Sequence, residues 1–117
     1  MLTLPIKKKW YDMILSGEKK EEYRAVSPYY TMRFRKFITL NPNYPDDYIQ
    51  KVFEAAAADG GLPYYGGVIL KNGSKICAPA MLIKGKIMIR TGRPEWGAAE
   101  GVEYYVLTIE EKEILSS

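Results

Sequence analysis

The sequence contains no histidine and a single cysteine, Cys77, among its 117 residues. The absence of histidine excludes a Ser-His-Asp triad, a Cys-His pair and a zinc site with histidine ligands. A single cysteine excludes an intrachain disulfide and a thiolate metal cage. Any acid–base chemistry must therefore use carboxylate, lysine or tyrosine groups, and we expect neither a metal nor a cofactor.

Long apolar stretches are also missing. The longest is about six residues, far below the roughly 20 residues that cross a bilayer. The apolar start of the chain leads into Lys7-Lys8-Lys9, which reverses the charged-then-apolar order of a secretory signal. We therefore expect a cytoplasmic protein without membrane contact.

The size and composition of the chain are those of one globular domain. Hydrophobic residues make up 47% and charged residues 26% of the sequence, which suffices for one sizeable core and argues against disorder. A length of 117 residues is typical of one domain. We predict a single domain over residues 1–117.

The net charge of +3 is small, but its distribution is uneven. Residues 1–37 hold nine Lys or Arg and four Asp or Glu, whereas residues 38–117 hold eight and ten. A basic third of this kind can present one attractive face to a polyanion. A solvated lysine-rich surface is an equally good interpretation of the composition alone.

Hydrophobic periodicity and turn signals predict elements along the whole chain. In the first half we predict strands at 2–6, 20–24 and 37–40 and helices at 8–16, 28–35 and 46–58. In the second half we predict strands at 68–71, 75–77, 80–90 and 103–109, and the acidic tail 110–117 can add one more.

Three local features accompany these elements. Asn72-Gly73 is a strong hairpin signal between two of the strands. Tyr48 is expected on the buried side of the third helix, and Cys77 is expected to be a small buried side chain.

Five or six strands with two or three helices predict an α+β fold, and a small closed or partly closed barrel suits that number.

The stretch from Gly17 to Arg24 follows the pattern Gly-x-Lys-x-x-Glu-x-Arg between the first helix and the next strand. In this setting it resembles the ASCH domain family of the PUA-like superfold. The preceding segment 14–19 and the late segments Pro94-Glu95-Trp96-Gly97-Ala98 and Glu103-Tyr104-Tyr105-Val106 are also similar to members of the family. Residues 42–65 have no counterpart, so the helix there, at about 44–62, is interpreted as an insertion.

The resemblance implies a six-stranded PUA-like β-barrel with flanking helices and a cleft beside the first helix. It also implies that Lys19, Glu22 and Arg24 line this cleft. RNA binding is associated with most of the family, hydrolysis of an acylated cytidine with one branch, and RNA cleavage with some other members. That hydrolytic branch has a threonine nucleophile where this chain has Glu22, so its activity does not carry over.

The same three residues can be judged by their chemistry alone. Glu22 and Arg24 lie two apart on a strand and therefore point to the same side. Lysine offers a compact cation for a phosphate, and arginine offers a planar fork for phosphate or guanine. A carboxylate accepts hydrogen bonds from an exocyclic base amine. A salt bridge between Glu22 and Arg24 with no ligand is the competing interpretation.

Aromatic and basic residues alternate near this stretch. The sequence has ten tyrosines, and Tyr29 and Tyr30 are followed closely by Arg33. Single-stranded RNA is recognised by bases stacked on aromatic rings while cations hold the phosphates. Lys8 and Lys9, at the start of the first helix, are further candidates for phosphate contacts.

These observations leave three hypotheses, in decreasing order of support. The first is a module that binds RNA, single-stranded or in loops, or a nucleotide, in a basic cleft beside the first helix; alanine at Lys19 or Arg24 should then weaken binding and leave the fold intact. The second is a metal-independent hydrolase of RNA or of a modified nucleoside, with Lys19 and Glu22 as catalytic groups. The third is an accessory module that binds another protein. The sequence does not determine the oligomeric state.

Overall fold

The computed structural model describes residues 1–116, which form three α-helices and eight β-strands. The helices are α1 (Lys8–Leu15), α2 (Pro28–Phe34) and α3 (Asp46–Ala56). The strands are β1 (Thr3–Ile6), β2 (Glu21–Ala25), β3 (Leu62–Pro63), β4 (Val68–Asn72), β5 (Ala80–Lys84), β6 (Lys86–Thr91), β7 (Glu103–Thr108) and β8 (Glu111–Ser116). The predicted α+β class is confirmed, although with more strands than the five or six expected.

The strands form two four-stranded sheets and not one closed barrel. The first sheet has the order β1-β4-β5-β8, with β1 parallel to β4 and the other pairs antiparallel. The second has the order β2-β7-β6-β3 and is antiparallel throughout. Within residues 1–116 no strand pairing joins one sheet to the other, so the prediction of a barrel is wrong.

Three predicted strands differ from the observed ones. Residues 35–37 form a 3₁₀ turn that continues α2, and no strand follows it. Residues 75–77 lie in the connection between β4 and β5. The strand predicted at 80–90 is interrupted at Gly85, so that its halves, β5 and β6, belong to different sheets.

The helices form where the sequence predicts them, for identifiable reasons. The side chain of Ser27 accepts a hydrogen bond from the backbone N–H of Tyr30 at 3.3 Å, which caps α2, and Pro28 occupies its first turn. In α3, Ile49 and Phe53 are buried, whereas Tyr48 is exposed, contrary to the prediction. The helix therefore packs a narrower apolar stripe than expected.

The buried core includes residues of both sheets and of all three helices, and its aromatic part lies where α2 and α3 cover the second sheet. The rings of Phe34 and Phe53 meet Tyr105 of β7 edge-on, with centroids 5.0 and 5.4 Å from it. The Tyr105 hydroxyl lies 2.7 Å from the hydroxyl of the buried Thr31, so that its polar end is also satisfied. Cys77, by contrast, is exposed, contrary to expectation.

This packing brings the ends of several elements together on one side of the molecule. A depression on that side is bordered by five elements: the end of β1, the start of α1, β2, α2 and the 3₁₀ turn Pro94–Trp96. No helix within residues 1–116 combines the length and the apolar character needed to span a membrane.

Candidate functional site

The turn after α1 determines where Lys19 lies. Gly17 follows the helix with φ +87°, a left-handed conformation that glycine adopts without steric penalty. The backbone N–H of Lys19 then donates to the carbonyl of Met13 at 2.9 Å, so the chain folds back along the end of the helix. The Lys19 side chain enters the space between α1 and β2 and is buried.

Strand alternation separates two charged clusters on β2. Glu22 and Arg24 point to one side, as predicted, and they interact with each other. Glu21 points to the other side, where it accepts hydrogen bonds from Arg90 and from the Tyr23 hydroxyl. The Glu21–Arg90 pair ties β2 to β6 and takes no part in the depression.

Lys19, Glu22 and Arg24 form a buried ionic network, which we call the charged triad. The Nζ atom of Lys19 lies 3.4 Å from Oε1 of Glu22. Oε2 of Glu22 accepts from Nη2 of Arg24 at 2.7 Å and from its Nε at 3.2 Å. Only 1%, 7% and 11% of the three side chains are exposed, so the triad is part of the packed structure as well as of the surface.

The remaining donors of the two cations are also engaged. Lys19 donates to the backbone carbonyl of Trp96. Its Nζ atom lies 4.9 Å from the ring centroid of Trp10 and 4.8 Å from that of Tyr23, within the range of cation–π attraction. These contacts hold the ammonium in place between two aromatic rings.

Arg24 has a different set of partners. Its Nη1 atom donates to the Tyr30 hydroxyl at 3.0 Å, and Nη2 donates to the carbonyl of Pro5 at 2.8 Å. The guanidinium thus joins β1, β2 and α2 and fixes the wall of the depression on that side.

The net pKa shifts of the two cations have opposite directions, although burial acts in the same direction on both. Burial lowers the pKa of the Lys19 ammonium, although the attraction of Glu22 acts in the opposite direction. Burial alone would also lower the pKa of Arg24, but the attraction of Glu22 and the hydrogen bond to Tyr30 raise it overall. Lys19 is therefore the cation that loses a proton more easily.

Above the charged triad lies an open cleft of about 320 Å³. This volume is at the lower end of the roughly 300–1,000 Å³ that is typical of small-molecule sites. The lining residues are Pro5, Ile6, Lys7, Trp10, Lys19, Glu22, Tyr23, Arg24, Ala25, Tyr30, Trp96 and Gly97. Four of them are aromatic, so the cleft combines flat apolar surfaces with a floor that has a net positive charge.

The structure brings together only some of the residues predicted from the sequence. Lys19, Glu22, Arg24 and Tyr30 line the cleft. The other four candidates do not line it.

Of those four, Lys8, Lys9 and Tyr29 are exposed and Arg33 is half-buried. Tyr29 is 52% exposed, and the guanidinium of Arg33 lies over its ring at 4.6 Å. Lys8 pairs with Asp12 at 2.5 Å in an exposed contact. Lys9 lies over the ring of Trp10, 4.6 Å from its centroid.

Sequence reasoning placed neither tryptophan among the candidate site residues, although both line the cleft. The helical pattern predicts Trp10 on the apolar face of α1, and for Trp96 the sequence leaves two roles open, stacking on a base or, with more support, capping the barrel. For Trp96 a signal was present, because it lies in a segment that is similar to the family pattern. Strand alternation predicts Tyr23 on the side of β2 opposite Glu22 and Arg24, yet Tyr23 also lines the cleft and its ring contacts Lys19.

The arrangement is suited to holding a small planar anion. Aromatic rings can stack on a planar group, and the two cations outnumber the one carboxylate, so the floor attracts negative charge. Both oxygens of Glu22 face cations, and within residues 1–116 no serine or threonine lines the cleft. The described residues contain no group of three or more Cys, Asp or Glu side chains placed to hold a metal ion.

Comparison with known proteins gives no further information about this cleft. The chain matches no protein-family model, no curated protein and no solved structure.

Proposed function

We propose that this chain is a cytoplasmic ASCH-type, PUA-like domain that binds RNA by holding one unpaired nucleotide in the cleft. The observation that carries this proposal is the convergence of Lys19, Glu22 and Arg24 on the floor of an open cleft with aromatic walls. Both parts of a nucleotide then have a partner: the base has rings to stack on, and the phosphate has a positive field.

The dimensions of the cleft favour a single strand over a duplex. A volume of about 320 Å³ accommodates one nucleotide. In an RNA duplex the bases are stacked on their neighbours and paired, so a base can reach aromatic side chains only from a loop, a bulge or a single strand. We therefore expect single-stranded or loop RNA as the ligand.

The charged triad supplies a means of recognising the base. Glu22 is held rigidly by its two cations, and its carboxylate borders the cleft. A carboxylate fixed in this way can accept a hydrogen bond from an exocyclic amine of a base. Lys7, which is exposed on the rim, is placed to approach a phosphate.

The order β1–α1–β2 and the position of the charged triad beside α1 support the family assignment. The two separate sheets are the feature that departs from the barrel expected of the family. The assignment therefore depends on the triad and its surroundings.

Binding is favoured over hydrolysis by the contacts of Glu22. Both of its carboxylate oxygens are engaged by cations, and the hydroxyl nucleophile of the hydrolytic branch has no counterpart in the described lining of the cleft. A protein-binding role does not account for a polar cleft that is small enough for one nucleotide.

The two tryptophans provide a direct test, because both line the cleft. Intrinsic fluorescence is titrated with ribonucleoside 5′-monophosphates and with short single-stranded RNAs at two salt concentrations. We expect quenching by RNA that weakens as salt rises, since neutralised phosphates release counterions. A duplex of the same sequence should bind more weakly.

Trp96→Leu removes one ring and keeps the backbone carbonyl that Lys19 needs. Because a stacked base is worth about 1–3 kcal/mol, we expect RNA affinity, measured by anisotropy of a labelled oligonucleotide, to fall between about fivefold and about 150-fold. Tyr65→Leu is the matched control, since Tyr65 is 79% exposed and does not line the cleft. Equal binding by both variants and wild type would contradict the proposal.

The same samples distinguish binding from catalysis. Labelled RNA and N-acylated nucleosides are incubated with wild-type protein in the presence of a chelator. Intact substrate at high protein concentration supports binding alone, whereas product above buffer would favour the hydrolase hypothesis.

A further inference from the structure

A second cavity of about 410 Å³ adjoins the cleft. Both share one wall, formed by Pro5, Ile6 and Lys7. The second cavity is completed by Lys8, Asn72, Gly73 and Ser74. A ligand lying in the cleft can therefore extend past Lys7 into the second cavity.

The parallel pairing of β1 with β4 produces this continuity. Ile6 lies beside Asn72 in the strand register. The backbone N–H of Gly73 donates to the carbonyl of Ile6 at 3.1 Å. The end of β1 and the turn after β4 are thereby fixed side by side, and the second cavity lies between this turn and the start of α1.

The charge of the second cavity is of one sign. Its titratable lining residues, Lys7 and Lys8, are both exposed cations. The sequence has no Asp or Glu in residues 1–11 or 60–94, the two stretches that supply the walls. The nearest carboxylate in the ionic contacts of these lysines is Asp12, in an exposed pair with Lys8, and exposed pairs of this kind are weak in water.

We infer that the second cavity binds the sugar-phosphate backbone next to the nucleotide in the cleft, so that the ligand is an RNA strand and not a free nucleotide. This inference rests on the proposed function. Lys7 and Lys8 offer ammonium groups to phosphates, and the amide of Asn72 and the hydroxyl of Ser74 offer hydrogen-bond donors to phosphate or ribose oxygens. The cleft would select the base, and the second cavity would set the path of the strand.

The first test places a charge in the second cavity alone. Ser74 is exposed and lines that cavity but not the cleft. Ser74→Glu adds a carboxylate where a phosphate is expected, and Ser74→Gln is a neutral control of similar size. The probes are a labelled ribohexamer mixture of random sequence and the four ribonucleoside 5′-monophosphates, and the thermal midpoint of each variant shows whether it is folded.

We expect wild type to bind the hexamer at least about tenfold more tightly than any monophosphate, because the additional phosphates contribute. Ser74→Glu should weaken hexamer binding about fivefold, the effect of about one unfavourable charge contact in water. Ser74→Gln should not, and monophosphate binding should stay unchanged in both variants.

The second test removes a cation. Lys8→Gln should reduce the magnitude of the slope of log K against log salt for the hexamer by about 0.7, the value for one phosphate of a single strand. Lys51→Gln is the control, since Lys51 is an exposed lysine of α3 that does not line either cavity. It should leave the slope unchanged.

Two results would overturn the inference while the proposed function stands: equal affinity for hexamer and monophosphates, or hexamer binding that Ser74→Glu and Lys8→Gln both leave unchanged. Competition by inorganic polyphosphate that equals the competition by unlabelled hexamer would also overturn the inference, because the second cavity would then bind any polyanion. Absence of binding to hexamer and monophosphates alike would contradict the proposed function itself.

Discussion

The Nζ atom of Lys19 lies 3.4 Å from Oε1 of Glu22, although only 1% and 7% of these side chains are exposed. Removing two charges from water costs several kcal/mol for each ion, and only close geometry with further hydrogen bonds offsets that cost. The contacts of Glu22 with Arg24 and of Lys19 with the Trp96 carbonyl supply such bonds. The charges of the triad therefore compensate one another, and removal of one member would leave a buried charge without its partner.

Glu22→Gln removes the anion and leaves two buried cations beside each other. We expect the free energy of unfolding to fall by about 3–5 kcal/mol, the usual effect of breaking a buried pair. Urea denaturation at neutral pH measures the loss, and Glu113→Gln, at an exposed position of β8, is the control. A loss no larger than that of the control would contradict the structural role of the triad.

Burial also changes what is expected of Lys19→Ala and Arg24→Ala. From the sequence, both variants should keep the fold intact. Because both side chains are buried around Glu22, we now expect either variant to lower stability. For this reason tests of binding are better made at Trp96, Ser74 and Lys8.

Stability should fall at alkaline pH because of buried tyrosines. Burial raises the pKa of Tyr23 and Tyr64 and, to a smaller degree, of Tyr11 and Tyr105. In the unfolded chain tyrosine ionises at about pH 10. The folded state thus holds these protons after the unfolded chain has lost them, so their contribution is complete below about pH 10 and is lost as pH rises further.

The lowered pKa of Lys19 acts in the opposite direction, because the folded state releases that proton first and gains stability as pH rises. Four tyrosines outweigh one lysine, so we expect a net loss. Urea midpoints between pH 8 and 11.5 test this, with tyrosinate absorbance as a second measurement. Tyr64→Phe should flatten the curve and Tyr65→Phe, at an exposed position, should not. A midpoint that stays constant above pH 10 would refute the expectation.

Local patterns in the sequence predicted the elements around the charged triad correctly. Glycine after an amphipathic helix, followed by alternating charges, sufficed to predict α1, β2 and the common side of Glu22 and Arg24. These features depend on contacts between near neighbours in sequence. The parallel pairing of β1 with β4 joins residues more than sixty positions apart, and no local signal contains it.

The dependence on contacts between distant residues also explains why the predictions of a barrel and of a strand at 75–77 are wrong. The Asn72-Gly73 signal did mark the end of β4, but the backbone N–H of Asn72 bonds to the carbonyl of Pro79 at 2.8 Å. The residues between them form a wider connection in which Cys77 is exposed. The position of Trp96 over Lys19 likewise depends on a contact between residues 77 positions apart.

Exposure of Cys77 predicts its reactivity. In the folded protein the thiol should react with an aromatic disulfide reagent at a rate within a few-fold of that in urea, because no packing must open first. Absorbance of the released thiolate gives the rate and a stoichiometry of one. A reaction that is more than about a hundredfold slower in the native state than in urea, as is typical of a buried thiol, would contradict the exposure of Cys77 in the connection between β4 and β5.

Gly97 follows the 3₁₀ turn at Pro94–Trp96 and lies close to the ring of Trp10 in α1. It has φ +105°, and a Cβ atom added there would lie 3.0 Å from Cζ2 of Trp10. Gly101 has a similar φ of +76°, but a Cβ atom added there would have no neighbour within 4 Å. A comparison of alanine variants at the two glycines therefore distinguishes the effect of backbone strain from the effect of contact with the Trp10 indole.

Gly97→Ala should lower both stability and RNA affinity, because it strains the turn and places a methyl group against the Trp10 ring at the lining of the cleft. Gly101→Ala should cost only the strain of a left-handed alanine, about 1 kcal/mol, and leave affinity unchanged. Thermal unfolding and the tryptophan titration measure the two effects on the same samples. Equal affinities in the two variants would contradict the expectation that RNA contacts this part of the cleft, which Gly97 and Trp10 line.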